Sequence, residues 1–192
     1  EAAYFYKIRG LDRKRAVYSQ ISDIERASRI LYLNKTCYNG LFRVNQQGEF
    51  NAPFGRYHNP NIVNETGLRA MSQYLNQARI TFRSGDFEAA LEGVGAGDFV
   101  YFDPPYDPMT ESANFTGYDK GGFGRGEQIR LKKLCDSLDS QGVKFLLSNS
   151  ATDFVLDLYS HYNIRVVQAK RAVNSKGHKR GHVNEVLVSN YN

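Results

Sequence analysis

One short segment narrows the possible architectures more than any other. Gly97-Asp98-Phe99-Val100-Tyr101-Phe102 runs directly into Asp103-Pro104-Pro105-Tyr106. A continuous apolar run bounded by Gly97 and Pro104 has the pattern of a buried central strand in an α/β sheet. The adjacent prolines stop that strand, because neither has an N–H for the ladder and each restricts the residue before it. In open α/β sheets, ligands bind beyond the carboxyl ends of the strands, which is where this tetrapeptide falls. Its groups suit one task. The rigid prolines present carbonyls as acceptors, Asp103 adds a side-chain acceptor and Tyr106 adds an aromatic face. Together they can hold a planar amino group and stack the ring that carries it. Such an exocyclic amine is a poor nucleophile, because its lone pair is delocalised into the ring. Accepting both of its protons localises density on the nitrogen and favours attack on a sulfonium methyl. The plainer alternative is a Pro-Pro turn with an ordinary Asp, and the apolar strand leading into it weighs against that.

The remaining sequence divides into two zones. Ser22 and Glu25 form a capping-box signature, and Ile24, Ala27, Ile30 and Leu31 follow at helical spacing, which predicts a helix over 22–36 with one buried face. Leu41–Val44 and Glu49–Phe54 are candidate hairpin strands across Asn45-Gln46-Gln47-Gly48, with Pro53 at an edge or a strand end. A second helix is predicted over 64–78, with Leu68, Met71 and Leu75 on one side. Beyond it, short strands at 80–82, 98–102, 143–147, 163–168 and 183–190 alternate with helices at 128–138 and 152–158. Gly121 to Gly126 is a glycine-rich connection. The alternation implies an α/β core with a mostly parallel sheet over 79–192. A basic stretch with Lys170, Arg171, Lys176, Lys179 and Arg180 joins the last two strands, antiparallel, at a sheet edge. It is either a set of phosphate contacts or a solvated loop.

A length of 192 residues fits one domain with a smaller lobe inserted, and 41% hydrophobic with 23% charged residues fits a globular protein. No apolar run is long enough for a membrane-spanning helix, and nothing resembles a signal peptide. The chain begins at Glu1 without a methionine, so it reads as a fragment. Cys37 and Cys135 lie far apart and near no His cluster, which points to reduced structural cysteines and no zinc. His58, His161, His178 and His182 share no ligand or triad spacing. The net charge of +5 is a weak sign of a polyanionic partner.

Asp103-Pro104-Pro105-Tyr106 after such a strand resembles the catalytic motif of S-adenosylmethionine-dependent DNA amino-methyltransferases. The similarity extends to Tyr38-Asn39-Gly40-Leu41-Phe42-Arg43-Val44-Asn45 and to Gly48-Glu49-Phe50-Asn51-Ala52-Pro53-Phe54-Gly55-Arg56-Tyr57, which look like the target-reading segment of Dam/DpnII-type adenine-N6 methyltransferases. Gly85-Asp86-Phe87, Ala113-Asn114-Phe115-Thr116 and Leu147-Ser148-Asn149 also match that family. The resemblance implies a Rossmann-like methyltransferase sheet over 79–192, joined by 1–9, with an inserted helical and hairpin target-recognition lobe over 10–78. Asp103 and the Pro104 carbonyl would bind adenine N6, Pro105 would stiffen the turn, and Tyr106 would stack on an adenine flipped out of the duplex. Asp86, Phe87 and Asp103 would contact the methyl donor. For Asp86, capping of a short helix just after it stands beside that role.

By the same resemblance, Arg43 would read guanine O6 and N7 in a GATC site, with Leu41 and Pro53 against thymine methyls. Tyr38 would enter the base stack. Asn39, Asn45, Asn51 and Arg56 would hold phosphates or the orphaned strand, although each Asn also suits a turn. Arg9 would bind a phosphate, while Tyr4, Phe5 and Tyr6 beside it suit a core. The implied partner is double-stranded DNA, with no metal and no membrane. A cognate restriction endonuclease would be a functional counterpart, in a bacterial or phage-encoded cytoplasmic enzyme.

The family's Gly-rich first cofactor turn is absent. Gly93-Val94-Gly95-Ala96-Gly97 precedes a strand instead of following one, and Gly121-Gly122-Phe123-Gly124 has no strand before it. The expectation is therefore that these 192 residues alone are inactive or unstable. The competing readings are a truncated relative that grips DNA without methylating it, and a methyltransferase acting on RNA or a protein glutamine. The glutamine-modifying subclass favours Asn in place of Asp103, and neither substrate explains the target-reading segment.

Overall fold

The computed structural model describes residues 1–109, 123–170 and 182–192. The chain forms two compact units, Glu1–Phe82 and Arg83–Asn192. The Ala113–Thr116 motif and the basic residues Arg171, Lys176, Lys179 and Arg180 lie outside the described residues, as does the side chain of Lys170.

The first unit contains α1 (Ala2–Arg9), α2 (Arg15–Tyr18), α3 (Asp23–Thr36) and α4 (Glu65–Gln77). The expected capping box starts α3: the Ser22 side chain accepts the Glu25 N–H while the Glu25 carboxylate accepts the Ser22 N–H. Its buried face differs from the periodicity read above. Arg29, Leu33 and Thr36 are buried, whereas Ile24 is exposed. The cause is an ion pair. Arg29 Nη2 lies 2.7 Å from Asp12 Oδ2 in a nearly buried site, and its guanidinium also donates to the Ile8 and Arg9 carbonyls. Partnered in this way, a charged residue can occupy the core side of a helix. Phe5, Leu33, Cys37, Phe50 and Ala52 form the unit's core, so residues 1–9 pack here. No residue of α4 is buried, although the helix forms where expected and Asn64 caps it.

The expected hairpin is only partly regular. Isolated bridges join Cys37 to Phe54 and Val44 to Phe50, without continuous strands. The Asn45 side-chain oxygen accepts the N–H groups of Gln47 and Glu49, and Gly48 takes φ +79°, so a tight loop replaces ladder pairs. A residue larger than glycine at position 55 would put its Cβ 2.7 Å from the Cys37 carbonyl oxygen, which explains Gly55 beside that bridge. The predicted strand at 80–82 is absent, and Ile80 and Phe82 are exposed.

Among the described residues the second unit is a four-stranded sheet with two α-helices. Its strands are β1 (Phe99–Phe102), β2 (Lys144–Ser150), β3 (Asn163–Lys170) and β4 (His182–Ser189), in the order β1-β2-β4-β3. Helix α5 (Arg125–Ser140) connects toward β2, and α6 (Asp153–Leu158), capped by Thr152, lies between β2 and β3. The sheet is mixed: β1 and β2 pair in parallel, and β4 is antiparallel to both β2 and β3, so β1, β2 and β3 share one direction and the expected antiparallel pairing of the last two strands is present. Strand β1 is an edge of the described sheet, not a central strand. Val100 and Phe102 face the core, while Phe99 and Tyr101 are exposed. The core, which includes Leu131, Cys135, Phe145, Leu147, Val155, Val186 and Val188, sits between this face and the helices.

Candidate functional site

In the second unit, the parallel register ends at Phe102 opposite Leu147, so Asp103 emerges beside Ser148. Ser148 Oγ donates to Asp103 Oδ1 over 3.0 Å and accepts from the Tyr101 hydroxyl over 3.1 Å. The Asp103 side chain is thus held at one oxygen in an exposed position and does not turn into the core. The half-buried Tyr106 stands nearby. Burial pushes its phenol above the ordinary tyrosine range, the Ser148 hydroxyl opposes that, and Glu185, Asp103 and Tyr101 add to it.

Beneath the turn lies a buried polar network that carried no assigned role in the sequence. Gln128 is fully buried. Its Nε2 donates to the Pro105 carbonyl over 2.8 Å, and its Oε1 accepts from Asn149 Nδ2 over 3.0 Å. Asn149 Oδ1 in turn accepts the Asp107 N–H over 2.9 Å. Two side chains therefore clasp the carbonyl before Tyr106 and the amide after it. The buried Asp107 carboxylate accepts from Thr152 and pairs with Arg125. Among the described residues none donates to the Pro104 carbonyl, while that of Pro105 is engaged. The sequence did contain a signal for this network: Ser148-Asn149-Ser150 are polar residues closing an apolar strand, and all are buried.

Asp86 and Phe87 are organised by Arg130, which pairs with Asp86, Glu88 and Glu127 and lies 4.2 Å from the Phe87 ring centroid. Asp86 Oδ1 accepts the Glu88 N–H, forming an Asx turn instead of capping the following short helix, whose N-cap is Glu88. The Arg130 hydrogen bond, with the Glu88 N–H behind it, holds the Asp86 carboxyl below the usual carboxylate range. An ionised acceptor next to an aromatic ring fits the amino edge and the face of a purine.

In the first unit the expected reading residues occupy one loop system. Arg43 and Asn51 are paired: Nε donates to Asn51 Oδ1 over 2.7 Å, Nη2 to the Asn51 carbonyl over 3.2 Å, and the Asn51 N–H to the Arg43 carbonyl over 2.8 Å. Tyr38 is exposed, with its N–H on the Pro53 carbonyl. Asn39 and Arg56 take positive φ angles, and the Asn39 N–H donates to the Tyr57 hydroxyl. Leu41 packs on the unit's core and Pro53 is exposed. The Asn45 amide is occupied by its own turn, through Gln47, Glu49 and the Glu49 carboxylate. Arg9 donates to the Ala52 carbonyl and lies over the Tyr6 ring. A cavity of about 320 Å³ in this unit, lined by residues including Tyr4, Tyr32, Phe54 and Ile62, contains none of these expected site residues. Among the described residues no group of His, Cys, Asp or Glu is placed to hold a metal, and no helix is long and apolar enough to cross a membrane.

The turn at the carboxyl end of β1 and the Asp86–Phe87 pair thus belong to the same unit. The chain belongs to the D12 class of N6 adenine-specific DNA methyltransferases, whose family model matches residues 1–173. Among individual proteins it is similar to type II methyltransferase M1.LlaDCHI of Lactococcus lactis subsp. cremoris, at 43% identity over 98% of this chain and 66% of that protein. It is similar to type II methyltransferase M.MjaIII of Methanocaldococcus jannaschii at 45% identity, covering 98% of this chain and 64% of that protein. The DNA adenine methylase of Serratia marcescens is 38% identical over 85% of this chain and 60% of its own length. The chain thus spans under two thirds of the length of the curated relatives it matches, 66% being the largest of these shares.

Proposed function

We propose that this chain carries the target-reading and catalytic parts of an enzyme that methylates adenine N6 in double-stranded DNA, in GATC, with the adenine turned out of the helix. In this reading the second unit, Arg83–Asn192, carries a Rossmann-like methyltransferase sheet and the first, Glu1–Phe82, is the inserted target-recognition lobe. The observation that carries it is the Asp103 carboxylate, exposed at the carboxyl end of β1 and fixed at Oδ1 by Ser148. Fixed in this way, its remaining acceptor capacity and the Pro104 carbonyl are available to the two hydrogens of an amino group. Accepting both localises the N6 lone pair, and Tyr106 supplies the stacking face. Catalysis rests mainly on positioning and preorganised acceptors.

S-adenosylmethionine, the family's donor, supplies an electrophilic sulfonium methyl when bound. Asp86 and Phe87 would hold its adenine, with Arg130 keeping the carboxylate ionised and the ring in place. Arg43 would read guanine, with Leu41 and Pro53 beside thymine methyls, Tyr38 in the stack, and Arg9, Asn39 and Arg56 toward phosphates or the orphaned strand. The names of the L. lactis and M. jannaschii relatives support a protective role in a restriction–modification pair, with a cognate endonuclease as functional partner.

DNA from cells expressing the full-length protein should resist an endonuclease blocked by GATC adenine methylation. Asp103→Ala should restore cutting while duplex binding in a gel-shift assay persists. Continued resistance with Asp103→Ala would overturn the assignment. Cleavable DNA from cells whose wild-type protein still binds the duplex would instead identify a non-methylating DNA-binding relative.

A further inference from the structure

We infer that Asn51 is a positioning residue for base reading, setting the guanidinium of Arg43 so that one particular edge meets guanine. This rests on the reading of Arg43 given above. A guanidinium has five N–H donors, four of which form two side-by-side pairs along its edges. Asn51 takes both donors of the inner edge, Nε through its side-chain oxygen and Nη2 through its main-chain carbonyl. The outer edge keeps one Nη1 and one Nη2 hydrogen side by side, the spacing that matches guanine O6 and N7. The clamp is itself anchored. Phe50 donates its N–H to Asp12 and accepts from Arg13, and the Ala52 carbonyl accepts from Arg9, so the residues on both sides of Asn51 are tied into the first unit. Phe50 and Ala52 point into its core, which directs the intervening Asn51 outward to Arg43.

This assignment makes Asn51 a partner of Arg43 and not a phosphate ligand, and the two roles respond oppositely to substitution. In the full-length protein, site choice is measured as the ratio of kcat/KM on a GATC duplex to that on an otherwise identical AATC duplex. Arg43→Ala should collapse the ratio. Asn51→Ala should lower it on the order of 10-fold, and should add nothing in the Arg43→Ala background. Asn51→Asp keeps an acceptor for Nε and should retain more discrimination than Asn51→Ala. A phosphate-contacting Asn51 would give the reverse order, because the new carboxylate repels the backbone, and its loss would weaken both duplexes equally. Additive single-variant effects, or Asn51→Asp falling below Asn51→Ala, would overturn the role of Asn51 while leaving Arg43 as the reader. A ratio unmoved by Arg43→Ala would overturn the reading of Arg43 and this inference with it.

Discussion

A carboxylate that must receive a hydrogen bond from a fixed direction works poorly if it can rotate. Ser148 restrains Asp103 by donating to one oxygen, and the Tyr101 hydroxyl behind it orients the serine. Hydrogen bonds to charged groups contribute about 1.5–3 kcal/mol. Ser148→Ala should therefore lower the single-turnover methylation rate by roughly 10-fold or more, with duplex affinity unchanged because Ser148 is not among the reading residues. An unchanged rate would show that Asp103 needs no such restraint. Arg43 is governed by the same principle, although its readout is selectivity. Removing a bidentate guanine contact should reduce discrimination by about 1–3 kcal/mol, measured as the change in preference between cognate and altered duplexes. The sequence marks Asp103, Tyr106 and Arg43 as candidates, because prolines, strand context and family resemblance all act locally. Their supports were not. Ser148 stands 45 residues from Asp103, and only the parallel register of β1 and β2 brings them together.

At the scale of elements, helix α5 and strand β2 hold the turn through Gln128 and Asn149. Gln128→Leu would leave the buried Asn149 amide without this partner and remove the donor to the Pro105 carbonyl. A buried unsatisfied group costs about 1–3 kcal/mol. The variant should thus show a lower denaturation midpoint in urea with an unchanged slope, and an unaltered midpoint would mean the clasp is dispensable. The positions of α3, α4 and α6 were legible, since Ser22, Asn64 and Thr152 cap where such residues should, whereas α1 and α2 were not read. The buried face of α3 was misread because the Asp12–Arg29 pair brings a charge inside, a long-range partnership that hydropathy cannot reveal. The antiparallel pairing of β4 with β3 was legible, but its place between β2 and β3 was not, because an apolar run does not name its second pairing partner.

At the scale of the molecule, the two cysteines belong to two separate cores, Cys37 in the first unit and Cys135 in the second. Burial raises both thiols, and Cys135 is pushed up to about 12, with the neighbouring Asp136 charge adding to the effect. A raised folded-state value means that folding favours the protonated thiol. Its contribution to stability is fully present below the unfolded value of about 8.5 and is lost as pH rises from there toward the folded value. Native protein at pH 8 should therefore resist alkylation at both positions and react on denaturation, as mass spectrometry of iodoacetamide-treated samples would register. Rapid native labelling of Cys135 would contradict the buried placement.

Strand β4, the latest in chain order, lies between β2 and β3. Among the described strands, β2 and β3 therefore become joined only once β4 has been made. A stop codon anywhere before residue 182 would split the sheet down its middle instead of trimming its rim.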